Sequence, residues 1–319
     1  MTRIFILFSI LAVCSCTIQN RVHVGSLEID SANLPAADLH LNIPGLRPCT
    51  NSKDNTIHLS SRHPVTILAH GCLDSTARFR ALANVFAFHG QQAVCFTYND
   101  RDSLMKSSRE LISAIDIVSQ HVKAGGITVI GHSMGGLISR KALIADRQTI
   151  VKSPDVNLRL VTISAPFAGI SDARLCGSPT ALILSLGTLI PICKFISGDK
   201  WHEITYASDF IRDPGKLLDK VERHVKIVTD EKGTCRKYND QGFCTEDDYV
   251  FSNAEQYYLP VDREPVVTNI EVKSGHVEIV GDMNTAPLKL IQVLQKEGVM
   301  KMTEAGREEE LKALLTKLY

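Results

Sequence analysis

The segment Gly131-His132-Ser133-Met134-Gly135, followed by Gly136, points most directly to chemistry in this chain. It lies between an apolar run, ITVI, and a stretch with helical spacing, LISRKALIA. A serine at a sharp strand-to-helix turn has a strained backbone and a hydroxyl thrust out of the sheet, where it can attack a carbonyl. Small residues two before and two after it let neighbouring backbones pass close by. The helix that follows offers free N–H groups to a developing oxyanion. Such a serine needs a base, and the base needs a carboxylate to hold its tautomer, in the chain order Ser, Asp or Glu, His. The histidines beyond Ser133 are His202, His224 and His276.

These residues need a frame. PVTILAH (64–70), QAVCFTY (92–98), ITVIGHS and LRLVTIS (158–164) are short apolar runs rich in β-formers, and each predicts a buried strand. Between them, 76–90, 103–122 and about 134–145 carry apolar residues at helical spacing; in the second, Leu104, Leu111, Ile115 and Val118 share one side. HVKIVTD (224–230) and PVVTNIEV (265–272) predict two more strands, and roughly 285–297 and 303–318 two helices. Strands alternating with helices imply an α/β fold with a mostly parallel central sheet flanked by helices. Strands covered on both faces read as solid apolar runs. Residues 17–60 read as irregular, broken by Pro35, Pro44, Gly45 and Pro48. The stretch 165–222 departs from the alternation and holds an apolar segment, ALILSLGTLIPICKFI (181–196), broken by Gly187 and Pro191.

GHSMGG together with the upstream LAHG resembles the lipase branch of the α/β-hydrolase superfamily. The resemblance spans about 60–280 and is strongest over 64–145. It implies an α/β-hydrolase fold with a cap or lid insertion over about 165–222, beginning at SAPFAGISDA (164–173) and returning at YASDFIRDP (206–214). It implies that the residue after His70-Gly71, Cys72, and the residue after the serine, Met134, supply the oxyanion-hole N–H groups. The base falls on His276, in Ser274-Gly275-His276-Val277-Glu278 after a predicted strand. His224 begins a strand and His202 lies in the cap, so both fit less well. For the acid, EDDYVF (246–251) resembles the family's D-x-x-V-P stretch, with Phe251 in place of proline. Alignment on Val250 selects Asp247, with Asp248 and Asp230 as alternatives. The polar loop 231–245 then reads as an insertion. The expected catalytic set is Ser133, Asp247 and His276, cleaving a small-molecule or lipid ester without metal or organic cofactor. The same triad serves a thioesterase, a phospholipase or an acyltransferase. A catalytically inert, lipid-binding relative is the reading from outside enzymology.

Composition bounds the partners. Of 319 residues, 35 are Lys or Arg and 35 Asp or Glu, so no net field draws the chain to nucleic acid. An apolar cap is useful against lipid, so contact with a peripheral membrane or lipid interface is expected. Met1-Thr2-Arg3, an apolar run from Ile4 to Val13 and Cys14-Ser15-Cys16 describe a secretory signal peptide over 1–16, too short to span a bilayer. Its cysteines also resemble a bacterial lipoprotein box, so the expected location is secreted or cell-envelope. The remainder, 17–319, reads as one domain. Export permits disulfides, and Cys235 with Cys244, and Cys176 with Cys193, are the expected pairs.

Overall fold

The computed structural model describes residues 29, 32–71, 75–123, 125–145, 151, 156–171, 185, 198–200, 202–282 and 285–319. The expected signal peptide, Cys14, Cys16, Cys72, the Cys176–Cys193 pair and nearly all of the apolar cap segment lie outside them.

The central apolar runs become strands because both of their faces are covered. The strands are β1 (Leu39–Leu41), β2 (Leu46–Arg47), β3 (Ile57–Leu59), β4 (Val65–Ala69), β5 (Gln92–Phe96), β6 (Ile127–His132), β7 (Leu158–Ile163), β8 (Val221–Asp230), β9 (Cys235–Tyr238), β10 (Cys244–Asp247) and β11 (Val267–Lys273). The helices are α1 (Ser75–Phe88), α2 (Leu104–His121), α3 (Met134–Ala142), α4 (Asp209–Arg212), α5 (Asn253–Gln256), α6 (Leu259–Asp262), α7 (Leu288–Lys296) and α8 (Glu308–Leu318). Among the described residues a seven-stranded sheet runs in the order β11-β8-β7-β6-β4-β5-β2. Every pairing in it is parallel except β2 on β5 at the edge.

Alternate strand residues feed two cores. Ile67, Val129 and Leu160 face α2 and α3, meeting Leu111, Ile115, Leu137 and Ile138. Leu68, Ile130, Val161 and Ile227 face the other way. They meet Phe79, Leu82 and Phe86 of α1, and Leu290, Leu294 and Leu315 of α7 and α8. Burying one such side chain fully contributes about 1.5–3 kcal/mol, so the two layers fix the strand order firmly. Ser103 caps α2, its hydroxyl accepting the Lys106 N–H at 3.3 Å.

The described part of residues 17–60 is less irregular than its sequence suggests. β1 and β3 pair antiparallel, and β2 extends the sheet edge. Strands of two or three residues are too short to show a period, which is why they escape the sequence pattern. A disulfide joins Cys49 to Cys95 of β5, and the expected Cys235–Cys244 bridge closes the β9–β10 hairpin. No helix among the described residues is long and apolar enough to cross a membrane. In a parallel sheet the strand ends share one edge, and here that edge gathers the loops after β4, β6, β7, β8 and β11.

Candidate active site

Strand β6 ends at His132 and α3 begins at Met134, so Ser133 turns the chain within one residue. It does so at φ 55° and ψ −124°, a conformation that costs a non-glycine residue about 1–3 kcal/mol. The turn is held from both sides. Ser133 N–H donates to Ile163 O at 2.8 Å, and Gly136 N–H donates to Ser133 O at 2.9 Å. A β-carbon at Gly135 would overlap the carbonyl oxygens of Ala69 and His70, and one at Gly131 would overlap the Gly135 carbonyl. The flanking glycines are therefore required by close approach. The loop after β4 also runs against the serine: a β-carbon on Gly71 would sit 3.0 Å from Ser133 Cβ. Met134 is buried at the first position of α3. Cys72 lies outside the described residues.

His276 reaches the same corner from the loop after β11. Its carbonyl accepts from His132 Nε2 at 3.0 Å, and the two rings are 4.7 Å apart between centroids. Its Nδ1 lies 2.9 Å from Glu231 Oε1 and 2.8 Å from Ser164 Oγ. Phe251 packs edge-on against the ring, with centroids 4.9 Å apart. Contact with the carboxylate assigns the proton to Nδ1, leaving Nε2 as the ring's lone-pair nitrogen when the imidazole is neutral.

Glu231 is fully buried. Besides His276, its Oε1 accepts from the hydroxyls of Ser164 at 2.6 Å and Thr229 at 2.8 Å. Oε2 accepts the backbone N–H groups of Val250 and Phe251, both at 2.7 Å. Burial alone would raise this carboxyl. The hydrogen bond and charge of His276, with the Ser164 and Phe251 donors, hold it below the ordinary glutamate value instead.

The expected acid lies elsewhere. Asp247 is exposed on the β9–β10 hairpin, opposite Cys235, and its Oδ1 accepts the nearby Tyr249 N–H at 3.0 Å. The structure brings His276 to the elbow but does not bring Asp247 there; Glu231 stands beside the ring. The physical reason is alternation: as the chain leaves β10, Asp247 is exposed and Asp248 is buried. Asp230, the other alternative, pairs with Lys273 at 3.0 Å. Of the rival histidines, His202 is exposed. His224 is buried in β8, its Nε2 2.8 Å from Thr162 Oγ1. Burial, then the charges of Arg140 and Lys226, push its pKa well below the usual histidine value.

Glu231 and Ser164 were not among the residues expected from sequence. Ser164 has φ 47°, and with Ser133 it completes the set of non-glycine residues at positive φ among the described residues. A positional signal existed: Ser133, Ser164 and Glu231 are each the first residue past a central strand, β6, β7 and β8.

A family model described as an α/β hydrolase of unknown function (DUF900) matches residues 62–166, the stretch from β4 through the elbow to the end of β7. No curated protein matches the chain. Among solved structures, the propeptide form of the Bacillus licheniformis lipase BlEst2 aligns at 18% identity and a TM-score of 0.51, covering 76% of this chain and 51% of that one. Its mature form aligns at 18% identity and 0.49, covering 73% and 91%. A cell surface hydrolase from Lactobacillus plantarum aligns at 16% and 0.47, covering 79% and 98%. Identities this low speak to the fold alone. The sheet order, the strained serine between β6 and α3 and the family match over that segment give this chain the α/β-hydrolase fold.

Proposed function

We propose that this protein is a serine hydrolase of carboxylic esters, with Ser133 as nucleophile, His276 as base and Glu231 as acid. The observation that carries the reading is the His276 ring, pinned through Nδ1 to a buried carboxylate and packed against the residue preceding the strained Ser133. In this mechanism Ser133 Oγ attacks the ester carbonyl while His276 Nε2 takes its proton. Glu231 stabilises the imidazolium and holds the ring in place. The backbone N–H of Met134, with that of Cys72 as the second donor, receives the oxyanion. His276 then protonates the leaving alcohol, the acyl group stays on Ser133, and water repeats the sequence to release the acid.

The disulfides Cys49–Cys95 and Cys235–Cys244 suit an oxidising compartment. Together with the N-terminal apolar segment they support export. Contact with a lipid interface remains part of the reading through the apolar stretch 181–196. A fluorophosphonate probe should label the wild-type protein and leave Ser133→Ala unlabelled. Equal labelling of both would remove Ser133 from the role. A chain-length series of p-nitrophenyl esters, run beside thioester and phospholipid substrates, then assigns the substrate class; activity on thioesters alone would overturn the ester reading.

A further inference from the structure

The chain leaves Glu231, travels out along the disulfide-closed β9–β10 hairpin, and returns at Asp248. The few residues that follow touch both ends of the acid–base pair. Val250 and Phe251 donate their N–H groups to Glu231 Oε2. Asp248 holds the backbone that carries His276. Its carbonyl accepts the His276 N–H at 3.0 Å. Its carboxylate accepts the Val277 N–H at 3.0 and 3.1 Å and the Glu278 N–H at 2.9 Å.

Asp248 is 2% exposed, and the hydrogen bonds that meet its carboxylate come from main-chain N–H groups. Gly275 makes room for it, since a β-carbon there would overlap Asp248 Oδ2. The stretch 248–251 is thus a brace whose first residue sets the backbone of the base and whose last two set the carboxylate of the acid.

We propose that Asp248 is a positioning residue, fixing His276 against Glu231 through the main chain of 276–278. The role rests on the Ser133–His276–Glu231 reading. It acts on the turnover step, because a base displaced by about 1 Å can cost roughly 100-fold in rate while leaving substrate binding alone.

The test compares wild type, Asp248→Asn, Gly275→Ala, the double variant and Asp240→Asn, a change at the exposed hairpin turn. Esterase kcat is expressed per fluorophosphonate-titrated site, so an unfolded fraction does not enter it. Asp248→Asn keeps the shape but turns an amide toward the N–H donors. It should lower kcat about 10- to 100-fold with KM within about twofold. Gly275→Ala should do the same by pushing the carboxylate aside with every charge retained. The double variant should be no worse than the poorer single one, since both break one contact. Asp240→Asn should match wild type. Wild-type kcat in both single variants, a change confined to KM, or losses that multiply in the double variant would overturn the proposal. A wild-type protein that neither labels nor turns over would instead sink the triad reading, a distinguishable result.

Discussion

Two buried histidines, His276 in the loop after β11 and His224 within the adjacent β8, have different surroundings. His276 meets a carboxylate, Glu231, at the strand ends, in a network otherwise built of hydroxyls and backbone N–H groups. His224 lies inside β8 and meets a neutral hydroxyl, Thr162; burial first, and then the charges of Arg140 and Lys226, oppose its protonation. Those cations belong to ion pairs, Arg140 with Glu264 and Lys226 with Asp262, which tie α3 and β8 to α6 and the residues after it. Both rings are buried. What differs beside them is the sign of the neighbouring charge, a carboxylate at His276 and two cations at His224.

The comparison breaks most sharply at Glu231. Glu231→Gln should lower kcat about 100- to 10,000-fold, the range for a triad whose tautomer and imidazolium lose their carboxylate. Asp247→Asn, on the exposed hairpin, should stay within about twofold; a reversed outcome in steady-state ester hydrolysis would return the acid to Asp247.

The second region should respond in stability. Arg140→Met leaves Glu264 without its cation and should destabilise the fold by about 3–5 kcal/mol, read by denaturant unfolding. Replacing Glu264 by Leu in the same protein should restore most of that, because an apolar pair leaves no uncompensated charge. Failure of the restoration would show that the pair contributes net stability.

The smallest effect sharpens the contrast in pH. With its folded pKa depressed, His224 stays neutral in the fold while the unfolded chain takes up a proton near the ordinary value of 6.5. Its contribution is therefore fully present above pH 6.5 and is lost as pH falls below it, at up to about 1.4 kcal/mol per pH unit. His224→Gln should flatten the fall in melting temperature between about pH 6.5 and 5. Some slope should remain from His70, whose pKa burial also lowers. An unchanged slope would mean that His224 is charged in the fold.

The elbow and the late histidine are legible in the sequence because each is local. Glycines crowd one turn, and SGHVE follows the last apolar run before the C-terminal helices. The acid is not. Matching the D-x-x-V stretch on Val250 leads to Asp247, yet in the fold Val250 serves Glu231 through its N–H. The hairpin insertion separates the carboxylate from the residues that cradle it, and no spacing rule spans that detour. The short strands β1–β3 and the Cys49–Cys95 bridge were invisible for a related reason, since each depends on a partner distant in sequence: β1 and β3 on each other, β2 and Cys49 on β5.

By itself the sequence determined the alternation of strands and helices, since apolar periodicity is a property of consecutive residues. It also determined the strained serine, because only small neighbours allow that corner. Only the tertiary structure decided which carboxylate meets His276 and which histidine is buried beside cations. Those choices depend on where side chains from distant strands point and which charges they meet in an interior of lower dielectric than water.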